Sequence, residues 1–239
     1  MNEAYNVDCM EYMKSLPDGA FDLCVADPPY GIGIFHTHTH TQRIGSSKPF
    51  GSKKDGVRQM EKSRIDATFY PVFDDSSPPD AEVFRELERT SKKLIIWGGN
   101  FFLDHLGAAS CMVVWDKKRR GLTQADCEIA WTNLKGQSRV FEYRWNGMLQ
   151  ENMKEKEQRI HGTQKPVDLY RYLYTLAGMQ PGMTVFDPYL GSGSSRIAAW
   201  DAGLDFVGCE ISKAYFDLQE ERFRKHTEQL NLFLMGGDE

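Results

Sequence analysis

The chain has no Cys-X-X-Cys pair among Cys9, Cys24, Cys111, Cys127 and Cys209, and most of these lie inside apolar runs. Neither a disulfide framework nor a cysteine-bound zinc is therefore expected. It lacks any apolar stretch near the roughly 20 residues that a membrane-spanning helix needs, and Met1-Asn2-Glu3-Ala4-Tyr5 has neither the basic nor the apolar region of a signal peptide. A cytoplasmic location is the expectation. Positive charge is not in excess either: a formal net charge of -5 excludes a uniformly basic coat, so contact with a polyanion would fall to local clusters. Internal repeats and heptads are absent. The run Gly191-Ser192-Gly193-Ser194-Ser195-Arg196 lacks the third glycine of a dinucleotide fingerprint and the lysine of a P-loop, which argues against a nicotinamide or P-loop enzyme.

What remains is 239 residues, 41% hydrophobic, enough for one well-buried α/β core and short for two domains and a linker. A single catalytic domain over 1–239 is expected. Strand-like runs alternate with helical patterns, which predicts a largely parallel sheet wrapped by helices. Strands are predicted at Tyr5–Val7, Phe21–Ala26, Leu94–Trp97, Cys111–Trp115, Glu128–Thr132, Thr184–Asp187 and Phe206–Glu210, with extended chain over Val140–Trp145. Helices are predicted at Cys9–Leu16, Pro79–Thr90, Phe101–Leu106, after Pro166, at Ser194–Ala202 and at Lys213–Glu228. Gly31 to about Tyr70 has little periodicity and reads as a mobile loop, basic over 34–67. Asn146–Gly162 is polar and reads as an excursion from the core.

Asp27-Pro28-Pro29-Tyr30 closes the apolar run Phe21–Ala26, placing an acid and an aromatic ring where open α/β sheets hold their ligands. An acid and a ring so placed suit the edge and face of a flat heterocycle with an exocyclic amine. Downstream, Asp187-Pro188-Tyr189-Leu190-Gly191-Ser192-Gly193 forms a glycine-containing strand-to-helix turn that lets a ligand touch backbone.

The order Asp27–Tyr30, then Thr163-Gln164-Lys165-Pro166, then Asp187–Gly193 resembles the β-group amino-methyltransferases of DNA, from about Asp8 to Glu210. The resemblance implies a mixed, mostly parallel Rossmann-like sheet of about seven strands, with helices on both faces and a circularly permuted motif order. It implies S-adenosylmethionine as cofactor and double-stranded DNA as partner, with adenine N6 or cytosine N4 methylated on a flipped base. Asp27 and the Pro28 carbonyl would accept from the exocyclic amine, with Pro29 in the same catalytic motif, and Tyr30 would stack on the base. Asp187, Tyr189, Gly191, Ser192, Gly193 and Ser194 would form the cofactor turn, with Asp187 facing the ammonium group. Thr163, Gln164 and Lys165 would hold the cofactor's carboxylate, Glu210 its ribose, and Asp8 and Cys9 its adenine. Asp27 favours adenine, because N4-cytosine enzymes of this group more often carry Ser there. Methylation at cytosine carbon 5 would use a nucleophilic thiol after a proline, and no cysteine here follows one.

Alternatives stay open at this level: N4-cytosine specificity, a catalytically silent relic that binds cofactor or DNA, or methylation of RNA or protein. His36, His38 and His40 alternate with threonines, but no carboxylate or cysteine is spaced to complete a metal site, and none is expected. The basic 34–67 loop reads as a phosphate contact, and about 117–162 as the target-recognition region. Trp97-Gly98-Gly99-Asn100-Phe101 is a candidate lining of the base pocket. The recognition sequence, a restriction partner and a homodimer are not fixed by these residues.

Overall fold

The computed structural model describes residues 1–33, 75–121, 125–146 and 149–235. The histidine alternation and the basic 34–67 loop lie outside the described residues.

The chain opens with β1 (Asn2–Tyr5), not with the predicted Tyr5–Val7. Its side chains alternate between half-buried and exposed and, among the described residues, it pairs on one side only, with the last strand of the chain, so no apolar run marks it. Helix α1 (Cys9–Lys14) follows at once, because the Asp8 carboxylate accepts from the backbone N–H groups of Met10 (2.7 Å) and Glu11 (3.3 Å). Next come β2 (Phe21–Ala26) and α2 (Ala81–Thr90), whose Val83, Phe84 and Leu87 are buried at helical spacing. The Arg89 guanidinium then donates to the carbonyls of Leu16 and Met13, both at 2.8 Å, tying the end of α1 to α2.

Strand β3 (Ser91–Trp97) ends in a short 3₁₀ turn, Gly99–Phe101, where a helix over Phe101–Leu106 was predicted. The left-handed Gly98 (φ 69°) and the glycine pair at 98–99 favour a tight turn over a longer helix. Strands β4 (Met112–Asp116), β5 (Cys127–Thr132) and β6 (Arg139–Glu142) precede a hairpin of β7 (Trp145–Asn146) and β8 (Leu149–Gln150). After Pro166 come α3 (Val167–Leu176), β9 (Thr184–Asp187), α4 (Ser194–Asp201), β10 (Asp205–Cys209) and α5 (Lys213–Met235).

Among the described residues the main sheet has eight strands in the order β1-β10-β9-β2-β3-β5-β4-β6, one more than the resemblance implies. Every pairing is parallel except those β5 makes with β3 and β4, so β5 alone runs against the rest. The central strands are buried on both faces. Leu23, Val25, Ile95 and Trp97 pack with α3 and α4, while Cys24, Ala26, Leu94 and Ile96 pack with α1 and α2. Helices thus cover both faces of a mixed, mostly parallel sheet.

The span 117–162 is only partly outside this framework, since β5 sits between β3 and β4 in the main sheet. Nor is Asn146–Gly162 a solvated excursion throughout. The buried Gln150 donates to the carbonyl of Glu157 (2.9 Å) and accepts from its N–H (2.8 Å), so this polar stretch packs by pairing its own polar groups.

No helix among the described residues is long and apolar enough to cross a membrane.

Candidate functional site

Strands β2 and β9 are neighbours, with Cys24 opposite Phe186, so Asp27 and Asp187 emerge side by side at the carboxyl edge of the sheet. From this point the strand order runs through β3 on one side and through β10 on the other. Such a reversal is the place where open α/β sheets bind their ligands. The two sequence motifs, 160 positions apart by number, therefore meet.

The Asp27 carboxylate is gripped at both oxygens. Tyr30 Oη donates to Oδ1 at 2.7 Å, and Lys165 Nζ donates to Oδ2. Burial pushes the Tyr30 hydroxyl well above its ordinary range, aided by the Asp27 and Glu128 charges, so it stays a neutral donor. The backbone of this turn is latched by Asp75, whose Oδ1 accepts from the N–H groups of Tyr30 (2.7 Å) and Gly31 (3.0 Å). Phe101 stacks on the Tyr30 ring at 5.1 Å and Phe102 meets it edge-on at 6.1 Å.

Gly98 is what lets the ring sit there: a Cβ at this residue would land 2.4 Å from Cε1 of Tyr30, and its φ is +69°. Gly98→Ala should therefore displace Tyr30 and strain the backbone, at a cost of about 1–3 kcal/mol. A thermal melt should show a fall of several degrees, and an unchanged melt would contradict this packing.

Lys165 stands just ahead of α3, as the sequence motif predicts, but its ammonium is turned toward Asp27. Its side chain is 3% exposed, bound to Asp27 and 3.3 Å from Oε2 of Glu128, with the rings of Trp97 and Tyr30 at 5.4 and 5.9 Å. Burial alone would lower the Lys165 ammonium pKa, but Asp27 and Glu128 outweigh it and raise it. Glu128 in turn pairs with the buried Lys117 through its other oxygen. Burial would raise the Glu128 carboxyl, yet the Lys165 and Lys117 charges bring it down to about 2. Neither Glu128 nor Lys117 stood out in the sequence. The signal was an acid inside the otherwise apolar strand Cys127–Thr132, and its partner appears only once β4 and β5 are placed in register, Trp115 opposite Glu128.

Thr163 bonds His161 through its N–H and hydroxyl, at 3.2 and 3.1 Å from Nδ1. Gln164 turns into its own loop, accepting from the Ile160 N–H (2.9 Å) and donating to the Gln158 carbonyl (3.2 Å), while its carbonyl takes the Trp145 indole N–H (2.7 Å). The neighbouring His161 ring is pushed down to about 3 by burial and by the Lys165 and Arg159 charges, so it is neutral.

The glycine turn is built on two left-handed residues, Gly191 (φ 52°) and Gly193 (φ 72°). Glu210, at the end of β10, accepts from the Gly191 N–H and the Ser212 N–H, both at 2.8 Å, and fixes this turn. Ser192 and Ser194 are bridged by Arg222 of α5, which bonds the Ser192 carbonyl (2.8 Å) and the Ser194 hydroxyl (2.9 Å). Asp187 accepts from the Tyr189 N–H (3.0 Å) and from the Ser195 hydroxyl. Burial pushes its carboxyl up to about 7, and raises Glu210 as well. Asp8 and the buried Cys9 stand at the foot of α1, with Asp8 capping that helix. Burial and the Asp8 charge push the Cys9 thiol up to about 11, which makes it a poor nucleophile at neutral pH.

A hollow of about 450 Å³ elsewhere, lined by Arg171, Trp200, Asp201 and His226, lies where α3, α4 and α5 meet. Its charged groups are committed to one another through Asp201, which pairs with both Arg171 and His226. What the sheet edge can do is hold a cation-bearing ligand against Asp187 and Glu210 while presenting Asp27 and Tyr30 to a planar group beside it.

A family profile described as DNA methylase, of the N6/N4 type, matches residues 81–221. It takes in Thr163–Lys165 and Asp187–Glu210 but begins after Asp27–Tyr30. The Type II methyltransferase M2.DpnII of Streptococcus pneumoniae is 32% identical over 92% of this chain and 89% of its own length. M.HinfI of Haemophilus influenzae, also a Type II methyltransferase, is 25% identical over 94% of this chain and 69% of its own. Among solved structures, the M1.HpyAVI–SAM complex superposes with a TM-score of 0.53 at 18% identity, covering 93% of this chain and 100% of that one. The cytosine-N4-specific PvuII DNA methyltransferase gives 0.54 at 13% identity, over 99% and 94%. These superpositions show a shared fold.

Proposed function

We propose, from the premise that this chain belongs to the N6/N4 DNA methylase family, that it transfers a methyl group from S-adenosylmethionine to the N6 amine of an adenine flipped out of double-stranded DNA. The observation that carries this reading is the meeting of Asp27–Tyr30 with the Asp187–Gly193 turn at adjacent strand ends.

The residues present fit that cofactor. It brings an ammonium group, a sulfonium and a ribose, and the edge offers two acids, Asp187 and Glu210, whose carboxyls burial raises and which a cation beside them would bring back down. Asp187 would hold the ammonium, Glu210 the ribose hydroxyls, and Asp8 with the Cys9 backbone the adenine. The backbone of Gly191–Ser194 would lie along the methionine part, with Tyr189 flanking it. When bound, S-adenosylmethionine supplies an electrophilic methyl on a positively charged sulfur.

The protein's own contribution is to present the amine. Asp27 and the Pro28 carbonyl accept its two hydrogens and draw the nitrogen toward a tetrahedral geometry with its lone pair exposed. Pro29 holds the turn between them, and Tyr30 stacks on the base. In the free protein Oδ1 of Asp27 is occupied by the Tyr30 hydroxyl, so the incoming amine takes that hydroxyl's place. Extruding the base costs a few kcal/mol of unstacking, which the stacking surface of Tyr30 and Phe101 offsets in part.

Adenine is preferred to cytosine on the strength of the acid at residue 27, since the fold shared with an N4-cytosine enzyme is common to both activities. The test is methylation of DNA with labelled cofactor, followed by nucleoside mass spectrometry. N6-methyladenine is expected, and N4-methylcytosine alone would overturn the choice of base.

A further inference from the structure

We propose that Glu128 of β5 is a positioning residue for Asp27: backed by Lys117, it takes a share of the Lys165 ammonium and so keeps that cation from closing Asp27 to the base amine. The inference rests on the reading of Asp27 as the amine's acceptor.

Four charges alternate in a row, the two lysines buried and the two carboxylates half-buried. Asp27 at the end of β2 meets Lys165 ahead of α3, Lys165 lies 3.3 Å from Glu128 at the start of β5, and Glu128 meets Lys117 just past β4. The row has no net charge, so its internal attractions are not spent on a surplus ion. Three of its members lie on or directly after strands. Their spacing is set by β-sheet register, with Trp115 opposite Glu128 and the Lys117 N–H bonded to the Asp126 carbonyl at 3.0 Å.

Lys165 cannot satisfy both carboxylates equally. Its contact with Asp27 is the closer one, and Oε2 of Glu128 holds the ammonium at 3.3 Å. An ammonium shared between two anions binds each less tightly than it would bind one. Lys117 sets the balance from the other end. It occupies the second oxygen of Glu128 and prevents that carboxylate from turning fully onto Lys165. Remove the Glu128 charge and, among the described residues, the ammonium is left with Asp27 as its anionic partner. It then saturates the lone pairs that the exocyclic amine needs, although cofactor and DNA still find their surfaces intact.

The test uses the full-length protein with S-adenosylmethionine and a DNA that the wild type methylates. Lys117→Gln combined with Glu128→Gln removes the outer pair as a unit and leaves no buried charge alone. Its melting temperature should stay near that of the wild type, with KM for cofactor and DNA within about twofold and kcat reduced about tenfold or more. Glu128→Gln alone strands the Lys117 ammonium, so the same fall in kcat should come with a lower melting temperature. A purely structural role predicts the opposite pattern: the double variant regains the kcat that the single variant loses. Wild-type kcat in the double variant would overturn the proposal. Asp27→Asn separates this failure from that of the underlying reading. If it retains wild-type turnover, both fall; if it is inactive while the double variant is fully active, only the role of Glu128 falls.

Discussion

Asp27→Asn is expected to lower methyl transfer to DNA by about 10²–10³-fold while the protein stays folded and still binds cofactor. The substitution keeps the size of the side chain and one acceptor oxygen. It removes the charge that Lys165 now neutralises and replaces one acceptor with an N–H donor. The Tyr30 hydroxyl can still bond the remaining oxygen, so the turn held by Asp75 has no reason to open. What is lost is specific to the reacting amine. A nitrogen whose hydrogens are drawn by an anionic acceptor becomes more tetrahedral and electron-rich, whereas an amide oxygen pulls less and an amide N–H repels. The loss should therefore appear in single-turnover rate and kcat, with KM for S-adenosylmethionine nearly unchanged. Lys165 would keep Glu128 as a partner, which limits the cost in stability. Transfer at the wild-type rate would end the account of this site.

That site was largely legible in the sequence because its two halves carry local signals. Phe21–Ala26 and Thr184–Asp187 form strands with the predicted bounds, each an apolar run stopped by Asp-Pro. The turns after them contain the prolines and glycines that a sharp change of direction requires. Their adjacency was not local information, and it came only through the motif order. Strand β1 escaped because an edge strand with polar alternation has no hydrophobic run. The reach of Lys165 to Asp27 spans chain segments far apart in sequence, and no spacing rule encodes it. Glu128 and Lys117 lie closer in sequence, yet their pairing depends on which residue of β4 faces which residue of β5, and a slip of one position would turn Glu128 to the other face. Asp75 is a similar case, an acid beyond the predicted loop whose carboxylate accepts from the backbone of Tyr30 and Gly31.

The cofactor side of the site makes the second large prediction, and its sign follows from burial. Asp187 is 2% exposed, and its carboxyl is pushed up to about 7 by desolvation, despite the Ser195 hydroxyl and the Tyr189 N–H that favour its ionised form. An unfolded aspartate titrates near 3.9, so between about pH 4 and 7 the folded protein binds a proton that the unfolded chain does not. Stability from this group is thus fully present below about pH 4 and is lost as the pH rises through about 7. Asp187→Asn keeps the shape without the charge. It should flatten that slope and, at pH 8, raise stability by about 2–4 kcal/mol, a gain of several degrees in melting temperature. Cofactor binding should move the other way. An ammonium group beside Asp187 favours the ionised carboxylate, so wild-type affinity for S-adenosylmethionine should strengthen as the pH rises through about 7, with proton release on binding below it. The variant should bind about tenfold or more weakly at pH 8 and lose that pH dependence. Calorimetry in buffers of different ionisation enthalpy reads both the affinity and the proton. A variant that is more stable but binds cofactor as tightly as the wild type would mean that this buried acid faces something other than the ammonium group. Greater stability with lost affinity is what a site that holds a charge in reserve for its ligand should show.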